Sequence, residues 1–188
     1  MQQRKRRTKG LGLVILIMAI LIGFKCQEIV LSPNSLLFGD SSDGFRSYMA
    51  AEYHLKHDST YHYFTGMNYP YGDRNDYTDN LPVVVNPIKF ISKNIVDITP
   101  WFTGIWNYFM LLSLLLTAVF LYLIFRQLDL PLWYALPIAI GLSLFSPQIA
   151  RMEAHYGLAH PFLIPMIIYF LLRFESRPTI WRSIIIGC

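Results

Sequence analysis

Cysteine is scarce in this sequence: only Cys26 and Cys188 occur among 188 residues. Two cysteines, one of them the last residue, do not form the disulfide framework that holds small secreted domains together. They also lack the paired cysteine and histidine spacing of a structural zinc site. The sequence therefore predicts neither a disulfide framework nor a metal centre built on cysteine.

Charged residues are also few. They make up 15% of the sequence, whereas hydrophobic residues make up 54%. This composition excludes an ordinary soluble domain and favours a membrane protein. The net charge of +4 is uneven, since five of the sixteen lysines and arginines precede the first apolar run. Because an apolar run follows at once, we interpret this basic arm as an orientation signal and expect no nucleic-acid partner.

Apolar runs divide the chain into four parts. Residues 1–9 are a basic cytoplasmic arm, and residues 10–31 supply the roughly 20 apolar residues of a first transmembrane helix. Residues 32–103 contain no such run, so we expect one long loop. Residues 104–188 are predicted to hold transmembrane helices 2 to 4 and the start of a fifth. The predicted helices 2 to 4 lie at about 105–125, 132–145 and 162–172.

These runs predict an all-α membrane protein, a multispanning bundle of transmembrane helices with a long extracytoplasmic first loop. The basic arm, Arg126 and the arginines after the fourth run fall on one side, which the positive-inside rule makes cytoplasmic. The first loop and a second polar loop at 146–161 then share the opposite face, where they can meet. Because the fifth run is too short to cross a bilayer, we expect the sequence to be the N-terminal part of a longer protein.

The start of the first loop predicts an amphipathic helix at about 42–57. Aromatic and apolar side chains recur on one face at helical spacing, and polar side chains, including His54 and His57, occupy the other. We expect the helix to lie on the membrane surface with its polar face toward water. Asp43 lies at its start and Asp40 one turn earlier, where the partial positive charge of a helix N-terminus keeps a carboxylate ionised.

Asp40 and Asp43 have two open interpretations. An ionised carboxylate near the outer leaflet suits a general base, or a metal ligand, in transfer from a lipid-linked donor. Alternatively, both aspartates only cap the surface helix. The spacing alone does not decide between these interpretations.

A turn-rich stretch at 64–82 contains Asn68 and Tyr69 among several glycines and prolines. Exposed tyrosines beside Asn and Asp are typical of sugar binding, because aromatic rings stack on C–H faces while amides bond hydroxyls. The alternative is a loop that its tyrosines anchor at the membrane interface. We therefore treat Asn68 and Tyr69 as candidate substrate-binding residues.

The second polar loop contains Arg151, Glu153 and His155 close to membrane depth. Ionisable residues at that depth are costly and usually face a cavity. An arginine suits a phosphate group, and a histidine can donate a hydrogen bond to it or carry a proton. The alternative is an ordinary loop in which Glu153 neutralises Arg151.

The order of these features resembles the N-terminal part of the GT-C superfamily of integral membrane glycosyltransferases. The shared features are a basic N-terminus, one span, a long outside loop that opens with an acidic residue and a surface helix, and closely spaced spans. The stretches "GDSSDG", "FTGMNYPYGD" and "RMEAHYGLAHPFLIP" are similar to those of a bacterial branch of this superfamily. The resemblance covers nearly the whole sequence.

The resemblance implies a polyprenyl-phosphate-linked sugar and membrane lipid as partners, in a multi-pass protein of the bacterial inner membrane. It implies that Asp40, with Asp43 second, is the catalytic base or a carboxylate associated with a divalent cation, the one cofactor left open. Arg151, Glu153 and His155 would then line the lipid-phosphate side of a cavity. The two serines between the aspartates leave the choice between them open.

A second function class is a non-catalytic multispanning protein, either a transporter or an assembly factor for surface polysaccharide or lipid. Transporters carry polar residues inside their spans, and the predicted helices 2 to 4 offer few beyond Ser113, Thr117 and Ser143. The sequence therefore favours a glycosyltransferase in which Asp40 activates the acceptor hydroxyl.

Overall fold

A computed structural model describes residues 9–39, 42–77 and 80–176 of the chain. These residues are predominantly helical, with one short antiparallel pair of strands. The helices are α1 Leu11–Lys25, α2 Gln27–Leu31, α3 Ser42–His57, α4 Pro82–Asn94, α5 Phe102–Gln127, α6 Leu132–Leu144 and α7 Leu163–Ser176. The strands are β1 Tyr63–Phe64 and β2 Asp73–Arg74, and short 3-10 helices cover Asn75–Tyr77, Thr99–Trp101, Pro147–Glu153 and Tyr156–Leu158.

Three helical segments of the described chain are long and apolar enough to cross a membrane: Thr99–Gln127, Leu132–Glu153 and Tyr156–Glu175. They contain α5, α6 and α7, and each meets the requirement of about 20 mostly apolar residues. The prediction of a predominantly helical fold with helices able to cross a membrane is confirmed at this level. The number of spans and their orientation stay predictions.

The predicted first transmembrane helix at 10–31 is divided in the structure. Helix α1 ends at Lys25, Cys26 leaves helical geometry with φ −115° and ψ 33°, and α2 adds only one short helical segment. With 15 residues, α1 is shorter than the roughly 20 that a straight span needs. The break falls where the apolar run gives way to the polar residues Lys25 to Glu28. The predicted basic arm up to residue 8 and the predicted fifth helix lie outside the described residues.

The chain divides into two compact units. The first, which we call the apolar unit, contains α1, α5 from Leu111 onward, α6 and α7. The second, which we call the loop unit, contains α2, α3, the two strands, α4, α5 up to Met110 and the segment Pro147–Ala159. All candidate site residues that the structure describes belong to the loop unit.

Small and polar side chains pack the interior of the apolar unit. Ala118, Ala135 and Ala139 are fully buried, and such small residues let membrane helices approach closely. The Ser143 hydroxyl donates to the Leu114 carbonyl at 2.8 Å, which satisfies a polar group inside the helix pair. Ser113, Thr117 and Ser143, three polar residues of the predicted spans, are buried.

The loop unit contains a helix, α4, that the sequence did not predict. Its two prolines argue against a helix in the sequence, because proline usually breaks helices. Pro82 is tolerated in the first turn, where a backbone N–H has no helical partner, and Pro87 lies inside the helix. Val84, Val85 and Ile88 form its buried face, and α4 packs against α3. Tertiary burial therefore stabilises a helix that local propensity disfavours.

Candidate functional site

Asp43 lies in the first turn of α3 with its carboxylate accessible. The Arg46 guanidinium is 3.7 Å from this carboxylate, and both side chains are at least half exposed. Exposed ion pairs of this kind contribute little, so Asp43 is held only loosely. Asp40, the first candidate base, lies outside the described residues, but Gly39 directly before it is described.

The two polar loops are in contact in the structure. The Gly39 N–H donates to the Tyr156 hydroxyl at 3.1 Å in a buried hydrogen bond. A side chain at Gly39 or at Gly44 would overlap the Glu153 carbonyl oxygen, so both positions depend on glycine for this close backbone approach. The residues that bracket both candidate aspartates therefore lie against the second loop.

Aromatic rings support this contact from the protein interior. The rings of Tyr48 and Tyr156 meet edge to face at 5.2 Å, and Trp106 meets Tyr156 at 5.6 Å. Phe102 completes the cluster against Trp106 at 5.4 Å. Edge-to-face pairs are favourable beyond the area that they bury, and these four side chains are buried. We call these four residues the aromatic cluster.

The start of α5 fixes the chain before Gly39. The Asn107 amide donates to the carbonyls of Pro33 and Leu36, both at 2.7 Å, and its oxygen accepts from the Tyr48 hydroxyl. Burial and the neighbouring Tyr156 raise the pKa of the Tyr48 hydroxyl, which therefore stays protonated and able to donate. Hydrogen bonds from Asn107 therefore hold the chain between Pro33 and Leu36, just before Gly39.

The predicted residues of the second loop present their side chains outward. Arg151, Glu153 and His155 are exposed, at the end of a 3-10 helix and just after it. Within the described chain, the side chains of Arg151 and His155 make no hydrogen bond or ion pair. Their polar atoms are therefore available to an anionic ligand at the edge of the contact between the loops.

The structure does not bring Asn68 and Tyr69 to this contact. Asn68 lies between the two strands with φ 52°, and its amide donates to the Asp73 carboxylate at 2.7 Å. Tyr69 is 93% exposed. Among the described residues, no hydrogen bond or ring contact joins either of them to Arg151 or His155. Their role in sugar binding stays a prediction.

Metal binding has no preformed centre in the described residues. No group of three His, Cys, Asp or Glu side chains in this part of the chain is arranged to hold a metal ion. Asp40 is not among these residues, so the divalent cation that the resemblance leaves open stays a prediction.

A buried polar network in the loop unit was missed by the sequence analysis. His54 Nδ1 lies 2.7 Å from Asp58 Oδ2, and Lys89 Nζ lies 3.1 Å from His54 Nε2. Asp58 also accepts hydrogen bonds from the Thr65 N–H and hydroxyl, at 3.1 Å and 2.6 Å. We assign the proton of neutral His54 to Nδ1, because Asp58 accepts there and Lys89 donates to the other ring nitrogen. We call His54, Asp58 and Lys89 the buried triad.

The buried triad corrects the expected orientation of α3. The prediction that His54 faces water is wrong, because its side chain is fully buried. Burial lowers the pKa of His54, while the hydrogen bond to Asp58 opposes that shift. Burial and, to a smaller extent, the nearby charge of Lys93 together lower the pKa of Lys89 to about 8. The spacing of His54 and Asp58, one helical turn apart, was a signal for their pairing, whereas nothing in the sequence indicated Lys89.

The chain matches a protein family over residues 11–188, and the family is described as a domain of unknown function, DUF6311. The match covers most of the chain, so this protein belongs to that family. No curated protein and no solved structure matches the chain.

Proposed function

We propose that this protein is a membrane glycosyltransferase that moves a sugar from a polyprenyl-phosphate donor to an acceptor on the extracytoplasmic face of a bacterial inner membrane. The resemblance of its loops to the GT-C superfamily and its three apolar helical segments support the proposal. The observation that carries it is the contact of Gly39 and Gly44 with the second loop. This contact joins the segment of the candidate acids to the segment of Arg151 and His155.

In the proposed reaction, Asp40 acts as general base. Its carboxylate takes the proton of the acceptor hydroxyl while the acceptor oxygen bonds to the anomeric carbon. The bond between that carbon and the phosphate oxygen breaks, and polyprenyl phosphate leaves with the electron pair. Inversion at the anomeric carbon follows, because this single displacement forms no covalent intermediate with the protein. Asp43 is the second choice, since Arg46 already lies beside its carboxylate.

In this proposal, the second loop binds the phosphate of the leaving group. The Arg151 guanidinium presents several N–H donors in a planar fork that matches phosphate oxygens. His155 adds a second hydrogen-bond donor. Both side chains are exposed and unpaired among the described residues, so a ligand need not displace an internal partner. Glu153 places its backbone, rather than its carboxylate, against the glycines.

The test uses the full chain in membranes and a panel of labelled polyprenyl-phosphate-linked hexoses and pentoses. We expect Asp40→Asn to lower chain-dependent sugar transfer by about 100-fold or more at unchanged protein abundance. Asp76→Asn, which alters an exposed aspartate between the strands and the start of α4, is the matched control and should leave transfer intact. Full loss in Asp43→Asn with an active Asp40→Asn would move the base to Asp43.

The same assay addresses the cation and the alternative function. Loss of transfer with a chelator, and recovery with an added divalent cation, would assign Asp40 to metal binding instead of simple proton transfer. If the wild-type protein transfers no more sugar than the two single variants or than membranes without the chain, the protein is not a glycosyltransferase for these donors. That last result would favour the non-catalytic alternative, a transporter or an assembly factor for surface polysaccharide or lipid.

A further inference from the structure

An open groove of about 520 Å³ lies in the loop unit between α3, α4 and the turn before α5. Its lining is mixed polar and apolar and contains three lysines and two carboxylates. The charged and hydroxyl residues that matter are Glu52, Lys56, Lys89, Lys93, Asp97 and Thr99. The groove therefore has a small excess of positive charge.

Two of these lysines keep donors for a ligand. Lys93 donates to the backbone carbonyls of Asp58 and Ser59, at 3.3 Å and 3.1 Å, and no carboxylate pairs with it among the described residues. An ammonium group has three N–H donors, so one remains. Lys56 pairs with Glu52 at 2.5 Å, but half of its side chain is exposed.

The third lysine and Asp97 are already engaged. Lys89 donates to the His54 ring and to the carbonyls of His54 and Thr60, at 3.1 Å, 3.0 Å and 2.5 Å. Asp97 accepts the Thr99 N–H at 2.9 Å. The donors available to a ligand therefore come from Lys56 and Lys93 at the mouth of the groove.

An exposed apolar surface borders this mouth. Phe90 is separated from Lys93 by about 60° around α4, given about 100° of rotation per residue. Phe90 is 54% exposed although the opposite face of the helix is buried. The exposed apolar side chains of α4 and the segment after it form what we call the apolar strip, namely Val83, Phe90, Ile95, Val96 and Trp101.

The apolar strip is continuous with a segment that can cross a membrane. Trp101 lies at the start of the apolar segment Thr99–Gln127, in the position that interfacial tryptophans favour. A surface that leads directly into a membrane helix lies at the depth of the lipid head groups. Exposed apolar side chains at that depth contact acyl chains, and lysines beside them attract anionic head groups. Lipid is therefore the occupant that fits both the charge and the position.

We propose that the groove binds the phosphate of an anionic membrane lipid through Lys56 and Lys93, with the acyl chains of that lipid on the apolar strip. This site is separate from the contact between the two loops and does not depend on glycosyltransferase activity. It requires only that the segment Thr99–Gln127 crosses the membrane.

The full chain in vesicles provides the test, because Trp101 is a reporter within the apolar strip. Vesicles of phosphatidylcholine are prepared with either brominated phosphatidylcholine or brominated phosphatidylglycerol at equal bromine content. The fluorescence of Trp101 is obtained by subtracting the fluorescence of the Trp101→Phe variant from that of the wild type. We expect stronger quenching by the brominated phosphatidylglycerol, and we expect each of Lys56→Gln and Lys93→Gln to reduce this preference about fivefold.

Lys25→Gln is the matched control, since Lys25 ends an apolar helix but does not line the groove. An equal loss of preference in Lys25→Gln would reject the groove in favour of general surface charge. Equal quenching by both lipids, or none by either, would also overturn the proposal. Lys93→Gln also removes hydrogen bonds within the protein. If Lys93→Gln does not fold, Lys56→Gln alone tests the proposal, because it removes only an exposed ion pair. Preference lost on adding inorganic phosphate at constant ionic strength would assign the groove to a free anion.

Discussion

At the scale of single residues, two glycines define the candidate site more than any charged group does. Gly39 and Gly44 allow the backbone of the first loop to touch the backbone of Glu153, and the Tyr156 hydroxyl completes the contact. Gly44 lies inside α3, where alanine would ordinarily stabilise a helix by about 1 kcal/mol. Close packing against the Glu153 carbonyl, and not a need for local flexibility, accounts for glycine at position 44.

Gly44→Ala should therefore destabilise the protein instead of stabilising it. The added methyl group would overlap the Glu153 carbonyl, and relieving such overlap typically costs about 1–3 kcal/mol. We expect a lower melting temperature in detergent and reduced sugar transfer. Gly141→Ala is the control, because nothing lies within 4 Å of a methyl group there. A Gly44→Ala protein as stable as the Gly141→Ala protein would show that the two loops do not pack closely.

At the scale of elements, the two ends of α3 pack in different environments. Its first turns carry Gly44 and Tyr48, which pack toward Tyr156 and the aromatic cluster. Its last turns carry His54, whose ring joins α3 to α4 through Lys89. Such a network is costly to bury unless every member is paired, and here the acid, the ring and the ammonium group satisfy one another.

The buried triad gives the stability of the protein a defined pH dependence. Burial lowers the pKa of His54 from its ordinary value of 6.5, so the unfolded chain binds a proton there at higher pH than the folded chain does. The free energy of unfolding should therefore decrease as the pH falls below about 6.5. Lys89, with its pKa lowered to about 8, is protonated in both states in that window and adds no slope.

His54→Gln keeps hydrogen-bonding groups but removes this titration. We expect its melting temperature to fall less than that of the wild type between about pH 7 and about pH 5. His62→Gln, which changes an exposed histidine, should keep the wild-type slope. An equally steep profile for His54→Gln would mean that another group causes the acid sensitivity.

Sequence patterns predicted the helices whose formation depends mainly on their own residues. The helices α5, α6 and α7 follow from apolar runs, because an uninterrupted run of that length has few other structures available. The patterns missed α4 and the burial of His54 and Lys89, since these depend on partners far away in the chain. For the candidate site, the assignment of Arg151 and His155 stays a prediction, and the contact of Gly39 and Gly44 with Glu153 could not be predicted because it depends on tertiary packing.

At the scale of the whole molecule, charge asymmetry predicts the orientation in the membrane. Tyr69 lies in the exposed turn between the strands, and Asp129 lies in the exposed turn between α5 and α6. The positive-inside rule places the first outside and the second in the cytoplasm. Ser113 and Thr117 of α5 and Ser143 of α6 are buried.

Cysteine labelling tests this orientation. In a background with Cys26→Ser and Cys188→Ser, Tyr69→Cys should react with a membrane-impermeant maleimide in intact spheroplasts. Asp129→Cys should react only after the membrane is permeabilised. The reverse pattern would place both polar loops in the cytoplasm and remove the proposed extracytoplasmic site.

In the proposed reaction, an acid of the first loop and a cation of the second loop act on the same donor. Steady-state kinetics of sugar transfer by the full chain separate the two roles. Asp40→Asn should lower kcat by about 100-fold or more with little change in donor KM, as for loss of a general base. Arg151→Gln should mainly raise the donor KM, because it removes a phosphate contact. Wild-type kcat and KM in both variants, at equal protein abundance, would show that neither residue acts on the donor.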